Sequence, residues 1–223
     1  MGKNKLERFA ENETFEHFFQ PSFDDLMQGF PLKGKWNPDF FGNDNPIVLE
    51  LGCGKGEYTV NLASKYPDVN FIGLDKKGAR LWRGGKTSKE NKMRNVAFIR
   101  TRIEQIEHLF GPAEVSAIWI TFPEPQPRNS KAKKRFTSPQ YIERFRKIIK
   151  PDGIIHLKTD SDLFFEYTLE VIKENGYKLL YSNPDLYEYP DDPRIKDVIA
   201  VQTFYEKMWL AEGCKIKYLE YKI

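Results

Sequence analysis

The chain has 223 residues, 40% of them hydrophobic and 30% charged, and carries a net charge of +3 at pH 7. That balance suits one medium-sized domain with a real core and excludes a polycation acting through its global field, so an anionic partner has to meet a local patch. Two cysteines far apart in sequence, Cys53 and Cys214, and three scattered histidines argue against a disulfide framework and imply no metal.

In chain order, residues 1–45 are polar and broken by Pro21, Pro31, Gly34, Pro38 and Gly42. They read as a partly flexible N-terminal arm with a little helix around Glu13 to Phe19. The opening MGKNKLERFAENETF has no apolar signal-like run, and nothing later approaches the ~20 apolar residues of a membrane span. This predicts a soluble cytoplasmic protein with no membrane association. From residue 46 to 223 strand and helix signals alternate. Strands are predicted at IVLEL (47–51), NFIGLD (70–75), VAFIRT (96–101), VSAIWITF (115–122), GIIHLKTD (153–160), YKLLYS (177–182) and VIAVQTF (198–204). Helices are predicted at 57–66, from about Lys77 to Lys92, at 103–109, at 138–149 with Ser138 as N-cap and Pro139 in the first turn, and at 162–176 closed by Gly176. The pattern specifies an α/β protein with a mostly parallel seven-stranded sheet covered by helices on both faces.

The stretch ELGCGKGE (50–57) follows the first strand and opens the first helix. Gly52, Gly54 and Gly56 permit a tight turn and close approach of a ligand to the main chain. Glu57 stands where a dinucleotide fingerprint needs glycine, and no phosphate-cradling GxxxxGK[ST] motif is present. Glu50 is unsuited to a pyrophosphate but suits a ligand with a cationic end. Asp75, at the end of the second strand, is placed to accept hydrogen bonds from a ribose diol. Together these residues point to S-adenosylmethionine.

The order ELGCGKG, GLD, FPEPQPR, LKTD and TFYE resembles the bacterial tRNA (guanine-N7-)-methyltransferases from about Pro46 to the C-terminus, and the arm joins more loosely through GKWNPDFF (34–41). The resemblance implies a Rossmann-like class I methyltransferase that uses S-adenosylmethionine to form 7-methylguanosine at position 46, in the tRNA variable loop, as a monomer or homodimer. It implies substrate-binding roles for Arg128, Asp160, Thr203 and Glu206. Arg128 replaces a usual lysine, and Glu124 replaces a usual aspartate as the catalytic carboxylate beside the cofactor. Arg102 replaces an aspartate that commonly contacts the cofactor adenine, so its backbone or its side chain lines that pocket.

In an open parallel sheet, ligands bind beyond the carboxyl ends of the strands, which brings Glu50, Asp75, Glu124 and Asp160 to one rim. The loop PEPQPRNSKAKKRF (123–136) leaves from the same rim. Its prolines stiffen the approach, while Lys131, Lys133, Lys134 and Arg135 are expected to hold RNA backbone phosphates. For Trp82 and Arg83 on the basic helix, RNA contact and an exposed helix face are equally good readings. For Tyr187 and Tyr189 in the loop 183–197, stacking on a base competes with local packing, the usual role of single loop aromatics.

Overall fold

A computed structural model describes residues 3–223. The α/β class is as expected, and the sheet has eight strands among the described residues. In chain order these are β1 (Phe18–Phe19), β2 (Ile47–Leu51), β3 (Asn70–Asp75), β4 (Val96–Arg100), β5 (Val115–Thr121), β6 (Ile149–Thr159), β7 (Lys178–Asn183) and β8 (Lys217–Lys222). They lie in the order β1-β4-β3-β2-β5-β6-β8-β7. All neighbours pair in parallel except β8, which is antiparallel to both β6 and β7. The helices are α1 (Lys3–Asn12), α2 (Phe23–Gln28), α3 (Glu57–Lys65), α4 (Gly78–Glu90), α5 (Ile106–Leu109), α6 (Pro139–Arg146), α7 (Asp162–Glu174), α8 (Lys196–Ile199) and α9 (Phe204–Ala211).

Side chains alternate across a strand, and the two faces of the sheet bury separate cores. Leu49, Leu51, Ile72, Leu74, Ile118 and Ile120 face the core shared with α5, α6 and α7. Val48, Phe71, Val96 and Phe98 face the core shared with α3 and α4.

Two expectations are corrected. The seventh strand is not 198–204: Val198 lies in the short α8, Val201 follows it in irregular backbone, and Phe204 opens α9. The missing strand is KYLEYK, which inserts as β8 between β6 and β7. The arm holds no helix at 13–19. It forms α1, which packs on α4, then β1, which pairs Phe18 with Phe98 and Phe19 with Ile99.

The end of the arm is pinned by one aromatic. Trp36 is fully buried, its Nε1 donates to the Leu109 carbonyl at 3.0 Å, and its ring stacks 5.7 Å from Phe110. Glu114 gathers the backbone N–H groups of Gly34, Trp36 and Gly111 at 2.7–2.9 Å. Truncating a buried tryptophan typically costs about 3–5 kcal/mol. Trp36→Ala should therefore lower the urea midpoint by a corresponding amount, and a loss under about 1 kcal/mol would show that the arm is not part of the core.

Candidate active site at the strand rim

The ends of β2, β3, β5 and β6 meet in register, with Leu51 beside Leu74 and Ile120, and Thr121 beside Lys158. The glycine loop leaves this rim. Gly52, Gly54 and Gly56 have φ of +72°, +59° and +70°, a left-handed backbone that L side chains rarely adopt. At Gly56 the close packing is as restrictive as φ, because a Cβ there would lie 2.5 Å from the Phe98 ring.

Two carboxylates hold the loop. Asp75 accepts from the Gly54 N–H at 3.0 Å and from the Lys77 N–H at 2.8 Å. Glu50 is buried behind the loop. Its Oε2 accepts from the Thr59 N–H at 2.9 Å and the Thr59 hydroxyl at 2.5 Å, and its Oε1 accepts from the Thr121 hydroxyl at 2.6 Å. Burial raises its pKa to about 7 against the pull of these three donors.

A cavity of about 530 Å³ opens at the rim. It brings together five of the residues singled out from sequence: Gly52, Asp75, Arg102, Glu124 and Lys134. Glu124 sits between two non-glycine residues with positive φ, Phe122 at +48° and Gln126 at +47°. Such conformations cost about 1–3 kcal/mol each and persist where the surroundings enforce them. Here they turn the chain sharply out of β5 and bring Glu124 and Gln126 to the cavity wall.

Arg128, Lys131 and Lys133 are exposed on the loop outside this cavity. Asp160 follows β6 on the same rim. It does not cap α7, since that role belongs to Ser161, whose hydroxyl accepts from the Phe164 N–H at 3.2 Å. The Asp160 carboxylate has no protein donor among the described residues. Ser138 occupies the N-cap position of α6, but its hydroxyl donates to the Lys133 carbonyl at 3.0 Å and so ties the helix to the basic loop.

Three expected contacts are reassigned. Arg135 is buried, not presented to solvent. Its guanidinium donates to the carbonyls of Pro125 and Gln126 at 3.2–3.3 Å and lies 4.3 Å from the centroid of Tyr167. A planar fork suits paired carbonyls, and here it clasps the two arms of the proline loop. Thr203 and Glu206 are not strand residues but the capping box of α9, with reciprocal bonds of 3.2 and 3.4 Å. Glu206 is fully buried and pairs with the equally buried Lys158 at 2.6 Å. The Tyr187 hydroxyl also donates to it, at 2.6 Å. Glu206 thus positions α9 instead of facing a ligand.

Other cavity residues escaped the sequence reading, among them Lys76, Ile103, Phe136, Gln140, Tyr141 and Arg144. Gln140 and Arg144 are four residues apart on α6, and that spacing was the available signal. Phe136 supplies an apolar wall close to the bare Gly52, where an added Cβ would come within 3.3 Å of its ring. Lys158 was also missed, because a lysine inside an apolar strand gives no hint of its partner. It donates to the Val198 and Val201 carbonyls at 2.9 and 3.3 Å. It thereby fixes the segment whose Phe204 N–H donates to Glu57 at 2.9 Å, next to the glycine loop.

A mostly parallel sheet with a glycine loop and a rim cavity that holds Asp75 and Glu124 has the architecture of a Rossmann-like methyltransferase. A family model described as "Putative methyltransferase" matches residues 44–219. A tRNA (guanine-N(7)-)-methyltransferase of Christiangramia forsetii is 54% identical over 99% of this chain and 98% of its own length. One from Bacteroides thetaiotaomicron is 49% identical over 100% and 87%, and one from Clostridium novyi 36% over 91% and 92%. The chain belongs to the tRNA (guanine-N(7)-)-methyltransferase family. The fold is also that of a solved 16S rRNA methyltransferase, KamB, with a TM-score of 0.62 and 14% identity over 91% of this chain and 94% of that one.

Among the described residues there is no group of three or more potential metal ligands and no helix long and apolar enough to cross a membrane.

Burial pulls the Lys158 pKa down and Glu206 opposes that shift, so the pair stands or falls together. Removing one partner of a buried ion pair typically costs about 3–5 kcal/mol. Lys158→Met should lose about that much stability in urea titrations, and Lys158→Met/Glu206→Gln should lose measurably less. Additive losses would mean that the two side chains do not interact.

Proposed function

We propose that the protein transfers the methyl group of S-adenosylmethionine to N7 of guanine at position 46, in the variable loop of tRNA, in the cytoplasm. The observation that carries this reading is the convergence on one cavity of the glycine loop, Asp75 and Glu124 with a cation-bearing loop at its edge. The cavity suits this cofactor by its donor set. Bare backbone at Gly52 allows close approach, and Asp75, Glu104 and Glu124 offer carboxylates to a cationic ligand that bears no phosphate. Asp75 spends one lone pair of each oxygen inside the protein and keeps the others for a ribose diol. Arg102 and Ile103 line the side of the cavity assigned to the adenine.

The bound cofactor supplies an electrophilic sulfonium methyl. Guanine N7 has an in-plane lone pair and no proton, so no general base is required. What the chain contributes is alignment in a near-attack geometry and negative charge where the ring becomes cationic. Glu124 is assigned that part, with Asp160 accepting from the guanine edge and Arg128 holding the substrate strand. Thr203 caps α9, and Glu206 anchors that helix through Lys158. Lys131, Lys133 and Lys134 hold phosphates, while Arg135 keeps their loop in shape.

Labelled methyl transfer to unmodified tRNA, followed by nucleoside analysis and mapping of the modified position, tests the assignment. A product other than 7-methylguanosine, or a site outside the variable loop, overturns it. In the same assay under single turnover, Glu124→Gln should lower kcat about 10²–10³-fold, the loss typical of one preorganised electrostatic group. Affinities for tRNA and cofactor should change little, and Glu124→Asp should stay active. A Gln variant as fast as the parent would move the catalytic carboxylate elsewhere, with Asp160 next.

The raised pKa of Glu50 gives a pH signature. A buried acid raised from 4.5 to about 7 stabilises the free protein fully below about pH 4.5, and that contribution is lost as pH rises through about 7. A cationic cofactor favours the ionised carboxylate. Cofactor affinity should therefore strengthen up to about tenfold per unit as pH approaches 7 from below, with release of a proton. Calorimetry in buffers of different ionisation enthalpy measures that proton. Glu50→Gln should bind weakly with a flat profile, and a flat profile in the parent would remove Glu50 from the cofactor's surroundings.

A further inference from the structure

We infer that the exposed face of α4 is a second RNA-binding surface, which holds backbone phosphates on the side of the cavity away from the proline loop. The inference rests on tRNA being the substrate.

Residues 76–94 contain eight lysines and arginines and one acid, a net of +7 in a chain whose total is +3. Lys86 is occupied: it pairs with Glu11 at 3.2 Å and lies over the Trp82 ring. Trp82 is itself sandwiched by Arg8 and donates to Glu11 at 2.6 Å, so it is packing and not a platform for bases. By contrast, Lys76, Lys77, Arg80 and Arg83 are exposed and form no ion pair with any acid among the described residues.

Fold stability would not select this arrangement. The first turn of α4 contains no acid, and its N-cap, Lys77, makes no side-chain cap bond. Cations there oppose the positive end of the helix dipole. Arg80 and Arg83, three apart in the helix, also repel one another along one face. Asp75 offsets part of this through the Lys77 N–H, but its other bonds face the glycine loop. The excess positive potential is left for an external anion.

Position identifies that anion. Lys76 lines the same cavity as Lys134 of the proline loop, and the two come from the ends of β3 and β5, on either side of β2. The two basic surfaces therefore border one opening from opposite flanks. A nucleotide that places its base in the cavity carries a phosphate on each side. The proline loop accounts for one run of phosphates, and α4 supplies a second exposed cationic run at that opening, whereas Arg144, Arg146 and Lys147 of α6 are already paired with Glu107 and Glu143. S-adenosylmethionine has no phosphate to offer it.

The test uses the full chain carrying Lys77→Ala, Arg80→Ala and Arg83→Ala together, with unmodified tRNA binding followed by fluorescence anisotropy across a salt series. The slope of log K against log[salt] should fall by about 2–3, and affinity near 0.1 M salt should drop at least tenfold. Cofactor affinity by calorimetry should stay at the parental value, which shows that the variant is folded. The swapped set Lys77→Arg, Arg80→Lys and Arg83→Lys should restore both slope and affinity. Parental affinity and slope in the alanine variant would overturn the proposal, as would weaker binding with an unchanged slope. A parent enzyme that neither binds nor methylates tRNA would instead sink the substrate reading on which the proposal rests.

Discussion

The site depends on a carboxylate that no ligand need touch. Glu50 ends three hydrogen bonds, two from Thr59 at the start of α3 and one from Thr121 at the end of β5. It thus locks β2, α3 and β5 at one point. Asp75 adds the neighbouring strand by holding the Gly54 N–H. Between these anchors the glycine loop cannot relax, and its left-handed residues present bare backbone to the cavity. Burial raises the pKa of this acid to about 7 even though both oxygens are engaged.

Anchors of the same kind recur one layer out. The proline loop is basic, and a run of like charges would splay if nothing held it. Arg135 turns inward and ties the loop through two of its own carbonyls, which leaves the lysines outside. The α9 segment is held by Lys158 and Glu206, both wholly buried. In each case a charge expected from the sequence to meet a ligand instead fixes the backbone around it.

The rim carries charges of both signs. Asp75, Glu104 and Glu124 line the cavity together with Lys76, Arg102, Lys134 and Arg144, and further exposed cations continue outward along the proline loop and α4. A net charge of only +3 conceals these local concentrations.

The alternation of apolar runs and amphipathic stretches determined the parallel sheet and its helices. The glycines, Asp75 and the text of the proline loop determined which rim carries the site. Those features are local, because backbone conformation and periodicity are properties of short segments. Tertiary structure decided the rest. Whether Arg135 meets a phosphate or two carbonyls, and whether Glu206 meets a base or Lys158 from 48 positions earlier in the chain, depends on groups that only folding brings within hydrogen-bonding reach. The last strand shows the same limit. VIAVQTF and KYLEYK are both plausible strands by composition, but only one vacant lane existed between β6 and β7. KYLEYK filled it because its Leu219 and Tyr221 could join one core and Tyr218 another, while Val198 and Val201 were already needed around the buried Lys158.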